Sequence, residues 1–197
     1  MPDLSILTIP RPQAGPLPET GCWPVASLDF MQPPVWKPRA EVEHDEALLQ
    51  PIVYLLLQNA AGQIWCYQRN GGDTRLDSRF SAGVGGHVDL LDATTPFDPE
   101  ATLRRALLRE LFEELGATAA DLADLRLRGL IYEGLSLIGR VHLGVLYTAR
   151  WLPSEPPQPR AGEKLQGLGF MALTDIAIEP RFELWSLLTV RKLLSNS

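Results

Sequence analysis

The stretch DPEATLRRALLRELFEELG, residues 98–116, is marked as a helix at both ends and along its length. Asp98 suits the N-cap, Pro99 the first helical position, and Gly116 a left-handed stop. At about 3.6 residues per turn, Leu107, Leu111, Leu115 and Leu108 share one apolar side. Glu110, Glu113 and Glu114 lie together on the adjoining side, while Arg105 and Arg109 are expected to point elsewhere. A helix with one apolar stripe has to be covered by another layer, which restricts the chain to a layered architecture.

Strand patterns supply that layer. IVYLLLQ (52–58) and QIWCYQR (63–69) read as a buried hairpin around AAG (60–62). NGGDTRLDSRF (70–80) is a polar loop, and SAGVGGHVDLLDATTPF (81–97) a glycine-rich turn with a loop after it. Residues 125–135 and 138–151 read as two further strands and 165–173 as a last one, after a proline-rich loop at 153–164. Residues 181–194 read as a closing amphipathic helix, with Leu184, Leu187, Leu188 and Leu194 available for its apolar side. The expected class is α/β: a mixed sheet sandwiched between helices. Nine of the 17 prolines fall within residues 1–38, which nearly excludes helix there. Residues 1–50 are therefore read as an extended arm, pinned by Trp23, Phe30 and Trp36 to the body or to a second subunit, and residues 51–197 as the domain. EVEHDE (41–46) reads as a solvated turn.

The composition narrows the function. A net charge of −6 disfavours a nucleic-acid polymer as partner. No apolar run reaches the length of a membrane span and the start does not read as a secretory signal. Cys22 and Cys66 read as buried thiols, and a reducing cytoplasm is the expected location.

The three glutamates carry the chemistry. Like charges at i, i+3 and i+4 repel, and two of them lie near the helix C-terminus, where the dipole disfavours anions. A divalent cation would reverse the sign of that interaction; a solvated acidic face is the alternative. Gly83, Gly85 and Gly86 come shortly before the helix and would let backbone approach a metal or a phosphate closely.

With GVGGHVD followed by R-E-L-F-E-E-L-G (109–116), residues 50–195 resemble the Nudix hydrolases. Their pattern is a glycine, five residues, a glutamate, seven residues, then R-E-aliphatic-x-E-E-x-G. The second half is matched without a gap. Between Asp92, six past Gly86, and Arg109 there are 16 residues (109 − 92 − 1) rather than seven. The first glutamate of the pattern thus has no clean equivalent, and Asp92 and Glu100 are both candidates. Some Nudix proteins of unassigned substrate have a similarly stretched pattern with GGH and a later G-R-V-H strand, as in Gly139–His142 here.

The resemblance implies a hydrolase that cleaves the pyrophosphate of a nucleoside diphosphate linked to another group, by attack of water on phosphorus. Glu110, Glu113, Glu114 and the carbonyl of Gly85 would hold Mg²⁺ or Mn²⁺, and Arg109 would orient a carboxylate. The general base would be one of those glutamates or an acid outside them, Glu163 or Glu133. Arg69, Arg75, Arg79, His87, His142, Tyr132 and Arg140 are candidates for meeting the nucleotide substrate. A homodimer is compatible with the pattern. The competing reading is a Nudix-fold nucleotide-binding or regulatory module with weak or no catalysis; an isopentenyl-diphosphate isomerase would need a catalytic cysteine that Cys66, in a plain strand, does not offer.

Overall fold

In the computed structural model, which describes residues 5–71 and 78–195, the longest apolar run forms the spine. β4 (Leu48–Gln58) is buried on both faces. Its odd-numbered Val53, Leu55 and Leu57 enter one core and its even-numbered Tyr54 and Leu56 another, as the two-residue period of a strand requires. The other strands are β1 (Ser5–Pro10), β2 (Thr20–Trp23), β3 (Val35–Pro38), β5 (Ile64–Arg69), β6 (Phe80–Ser81), β7 (Gly83–Val84), β8 (Leu122–Glu133), β9 (His142–Trp151) and β10 (Leu165–Met171). The helices are α1 (Arg39–Val42), α2 (Pro99–Leu115), α3 (Leu137–Val141), α4 (Leu173–Ile178) and α5 (Leu184–Leu194). The sheet is mixed and runs β10-β5-β4-β9-β8-β2. β4 and β9 are parallel, and the other pairs in that order are antiparallel.

α2 covers one face through Leu103, Ala106, Leu107, Leu111 and Leu115. The opposite face is covered by Ile176 of α4 and Val190 of α5. The α/β sandwich expected from the sequence is present. The Asp98 carboxylate accepts from the amide of Ala101, and Gly116 closes α2 in the left-handed conformation, as the two ends of the segment predict.

The N-terminal segment differs from the expected arm. β1 pairs with β3 and β4, and β2 pairs with β8. Leu7, Ile9, Leu28 and Met31 are fully buried in the same core as α2, with Trp23, Phe30 and Trp36 packed against it. β4 also runs through position 50 without a break, so no boundary separates residues 1–50 from the rest. The physical reason lies in the spacing of the prolines. SILTI and TGCW fit between Pro2 and Pro10 and between Pro18 and Pro24, and Pro10 ends its strand, where a missing N–H costs little.

Two smaller differences lie near the C-terminus. The strand expected over 165–173 ends at Met171, and LTDIAI forms α4. The closing helix begins at Leu184 because the Glu183 carboxylate caps it, accepting from the amide of Trp185. Its fully buried positions are Ser186, Thr189 and Val190 rather than leucines. The Ser186 hydroxyl contacts Tyr54 Oη at 2.8 Å and accepts from the amide of Ala82 at 2.9 Å.

Candidate active site

α2 brings Glu110 and Glu114 against the turn that leaves β7, with Glu113 more exposed beside them. At Gly85 (φ 149°) a Cβ would lie 1.8 Å from the carbonyl oxygen of Val53. At Gly86 a Cβ would lie 2.6–2.8 Å from the Glu110 carboxylate. The carbonyl of Gly86 accepts from the amide of Val53 at 3.0 Å. At Gly85 the backbone is thus pressed on β4 as only a glycine allows, and at Gly86 a side chain would displace the Glu110 carboxylate.

Arg109 does not point away from the acids, as the helical projection suggested. Its Nη1 donates to Glu110 Oε1 at 2.8 Å and to Glu113 Oε2 at 3.0 Å. Its Nε and Nη2 grip the buried Asp92 carboxylate at 3.1 and 2.9 Å, and Nη2 also donates to the carbonyl of His87 at 2.8 Å. Neighbouring angles on a helix matter less for a side chain of this length, which reaches both the next residue and the one a turn away.

Asp92 settles beside Arg109 despite the stretched spacing. Asp89 and Asp92 cap each other across one turn of 3-10 helix, Leu90–Asp92. A loop in which Thr94 bonds Asp98 then leads into α2. Glu100 is exposed on the first turn of α2. The contact to Arg109 therefore belongs to Asp92 and not to Glu100.

Burial raises the pKa of Glu110 and of Asp89, with Arg109 opposing the shift in each. Glu114 is pushed up to about 8 by burial, opposed by Arg69 and reinforced by the charges of Glu110 and Glu163. Its Oε2 is shut off from solvent without a hydrogen-bond partner, although the carboxylate accepts from the backbone of Gly85. Arg69 lies on the same side: its Nη2 donates to Tyr67 Oη at 2.9 Å, and its Nε is buried and unpartnered.

Three carboxylates beside a glycine turn form the hard-oxygen donor set that Mg²⁺ and Mn²⁺ prefer. The orphaned Glu114 Oε2 is an oxygen that a cation would satisfy. Among the described residues no three His, Cys, Asp or Glu side chains converge as a ready ligand cluster; Glu110 and Glu113 are turned toward Arg109 instead. The residues fit a divalent ion in chemistry, and its binding would draw these two carboxylates from the guanidinium.

The remaining candidates divide. Glu163 is exposed in the loop before β10, near enough to Glu114 to influence its charge. Glu133 is buried and accepts from the amides of Leu135 and Ser136 and from the Ser136 hydroxyl, so it organises a turn. His87 Nε2 contacts Gln50 Oε1 at 2.9 Å and His142 Nε2 at 3.3 Å, and His142 Nδ1 donates to the carbonyl of Ile138. Burial, then the charges of Arg39 and His142, hold His87 well below its ordinary pKa. The pair joins the turn to β9.

Tyr132 and Arg140 are engaged away from the glutamates. Arg11 donates to Tyr132 Oη at 3.0 Å, to the carbonyl of Glu46 at 2.6 Å and to that of Arg140. Arg140 in turn donates to the carbonyl of Gly134 at 3.0 Å. These side chains fasten the N-terminal segment to β8 and α3. Arg79 donates to the carbonyl of Pro180, and Arg75 lies outside the described residues. Cys66 and Cys22 are pushed up to about 12 and about 11 by burial, which leaves thiols too weakly acidic for nucleophilic work.

One contributor carried no sequence signal. Arg160, in the proline-rich loop, donates from Nη1 to the carbonyl of Phe112 at 3.3 Å and from its amide to that of Glu114 at 2.8 Å. Its guanidinium sits 5.0 Å from the Phe112 ring centroid. It supplies the positive charge that the C-terminus of α2 otherwise lacks.

No family model matches the chain. A curated relative, protein YmaB of Bacillus subtilis, is 29% identical over 153 residues, 75% of this chain and 72% of the relative. Among solved structures, the Nudix-type protein Tm1382 superposes with a TM-score of 0.79 at 23% identity, covering 98% of this chain and all of its own. The chain has the Nudix fold. The Nudix domain of Shewanella oneidensis NrtR, solved with ADP ribose, aligns with a TM-score of 0.54 at 15% identity over 75% of this chain and 88% of its own. The alignment with Tm1382 covers 98% of this chain and so takes in its N-terminal strands, whereas that with the NrtR domain covers 75%. Among the described residues no helix is long and apolar enough to cross a membrane.

Proposed function

We propose that the chain is a Mg²⁺- or Mn²⁺-dependent hydrolase that cleaves the pyrophosphate bond of a nucleoside diphosphate linked to a second group. The carrying observation is the placement of Glu110 and Glu114 against the Gly85–Gly86 turn, with Glu113 joined to Glu110 through Arg109 and Glu114 Oε2 buried and unsatisfied. Bound there, a divalent ion would neutralise the diphosphate, lower the pKa of a water and stabilise charge on the leaving oxygen.

The protein's own groups do the rest. Asp92 fixes Arg109, and Arg109 fixes the carboxylates of Glu110 and Glu113 until the ion is present. Glu114 sits where a proton can be held near neutral pH, and Glu163 is the acid outside the helix nearest in charge to it. These two are the candidates to take the proton from the attacking water. Arg69, cationic beside Glu114 and with an unpartnered Nε, is the candidate to meet a phosphate oxygen.

The test is incubation with Mg²⁺ and a panel of nucleotide sugars, dinucleoside polyphosphates, ADP-ribose, NADH, CoA and nucleoside triphosphates, with products separated and Glu114→Gln as control. Cleavage of at least one compound faster than by the variant is expected. A second reading, a nucleotide-binding module, is favoured by the engagement of Glu110 and Glu113 with Arg109. It predicts saturable nucleotide affinity with no product and no dependence on added metal.

A further inference from the structure

A second polar site lies on the other side of the sheet. A groove of about 240 Å³ is lined by Arg126, Arg128 and Arg150 together with Asp124, Thr148 and Gln58. Thr148 shares the strand parity of Leu146, which faces the α4–α5 core, whereas Tyr147 and Ala149 face α2. The groove is therefore on the face opposite the glutamates of α2, at the end of the sheet that α4 and α5 leave uncovered: the Arg126 and Arg150 side chains are 64% and 52% exposed.

Its construction is local. β8 and β9 pair Ala123 with Arg150 and Arg126 with Thr148, so Asp124 and Leu125 form a bulge. Asp124 has φ 54°, a conformation that costs a non-glycine residue energy. The bulge sets its carboxylate 3.4 Å from Arg150 and 3.9 Å from Arg126. Arg128 Nε is held by Thr148 Oγ1 at 2.8 Å, which leaves its terminal nitrogens outward. Two guanidinium groups thus lie within 4 Å of one carboxylate and a third, that of Arg128, lines the same groove, a local excess of positive charge on a chain whose net charge is −6.

We propose that this groove binds a phosphate group of a small phosphoanion. Forked guanidinium donors match phosphate oxygens two at a time. A concave site of this size seats a compact anion, and the acidic remainder of the surface repels a long polyanion. The three arginines supply the donors, and Asp124 holds Arg126 and Arg150 in position between binding events. The site stands independently of the proposed hydrolase activity.

The experiment is calorimetric titration of the full chain with inorganic phosphate and with pyrophosphate, in EDTA and at about 0.15 M ionic strength to screen loose association. Saturable one-to-one binding of both anions is expected. It should survive Glu114→Gln and Arg104→Gln, an exposed arginine elsewhere, and weaken about tenfold in Arg126→Gln and in Arg150→Gln. Thermal unfolding confirms that each variant is folded, and two separate exposed positions guard against the failure of one. Absence of saturation in the parent protein, unchanged affinity in both arginine variants, or loss of binding in Glu114→Gln would overturn the proposal. So would a single-stranded oligonucleotide that binds through the same arginines more tightly than pyrophosphate.

Discussion

Asp92 grips Arg109 with both carboxylate oxygens, at 3.1 Å to Nε and 2.9 Å to Nη2. The pair is largely buried, with 5% of the aspartate and 21% of the arginine side chain exposed. Removing the negative partner would leave the guanidinium to Glu110, Glu113, the carbonyl of His87 and, at 3.6 Å, Asp89. Asp92→Asn is expected to cost about 1–3 kcal/mol of stability in urea unfolding, whereas Glu100→Gln, on an exposed turn, stays within about 0.5 kcal/mol. Equal effects would remove Asp92 from its place beside Arg109.

Gly86 touches the Glu110 carboxylate so closely that a methyl group would overlap it. Gly86→Ala should swing Glu110 aside while the helix stays in place. The expected outcome is retained unfolding temperature within a few degrees and loss of about a hundredfold in turnover, the scale of an ångström-sized misplacement. Mg²⁺ titration followed by product release reads the second effect.

Glu114 links stability to pH in the direction opposite to a salt-bridged acid. Its carboxyl is raised from 4.5 to about 8 in the folded protein, so between those values the unfolded chain has ionised and the folded one still holds the proton. The contribution is present in full below pH 4.5 and is lost as pH rises toward about 8. In EDTA the unfolding temperature should decline across that window, and Glu114→Gln should flatten the decline. Saturating Mg²⁺ should reverse it, since metal binding requires the ionised carboxylate.

Tyr132 is the acceptor for Arg11. Tyr132→Phe removes that bond and keeps the ring, so about 1 kcal/mol of stability should be lost. The kcat/KM of the best substrate should stay within about twofold, equivalent to under about 0.5 kcal/mol. A larger kinetic effect would return Tyr132 to the substrate site.

Much of this was legible because it is local. The ends of α2, its apolar stripe and the cluster of glutamates follow from helical geometry, and the glycine turn follows from close approach. What escaped is set by contacts between residues distant in the chain. The helical projection alone sets Arg109 apart from the acids, because it places Cα atoms and says nothing of where a long guanidinium reaches; the resemblance has it orienting a carboxylate, and it does bond Glu110 and Glu113. Tyr132 and Arg140 carry the right chemistry for phosphate or base, but the Tyr132 hydroxyl is taken by Arg11, from a segment read as an arm, and the Arg140 guanidinium by the carbonyl of Gly134 and by Glu46. Arg160 lies among prolines with no periodicity, and only the folded loop brings it to the end of α2. The proline-poor gaps holding β1 and β2 were visible in the sequence, yet such short runs become strands only when β4 and β8 are there to receive them.

The pairing of β2 with β8 also sets the order in which the chain can finish folding. Thr20 lies opposite Glu133 and Trp23 opposite Leu130, so a segment made early on the ribosome waits for one made much later. Until β8 has emerged, TGCW is an unmatched edge and Arg11 has no Tyr132 to hold. Residues 20–23 are thus secured only once β8 has emerged, whereas β1 can pair with β3 and β4 well before then.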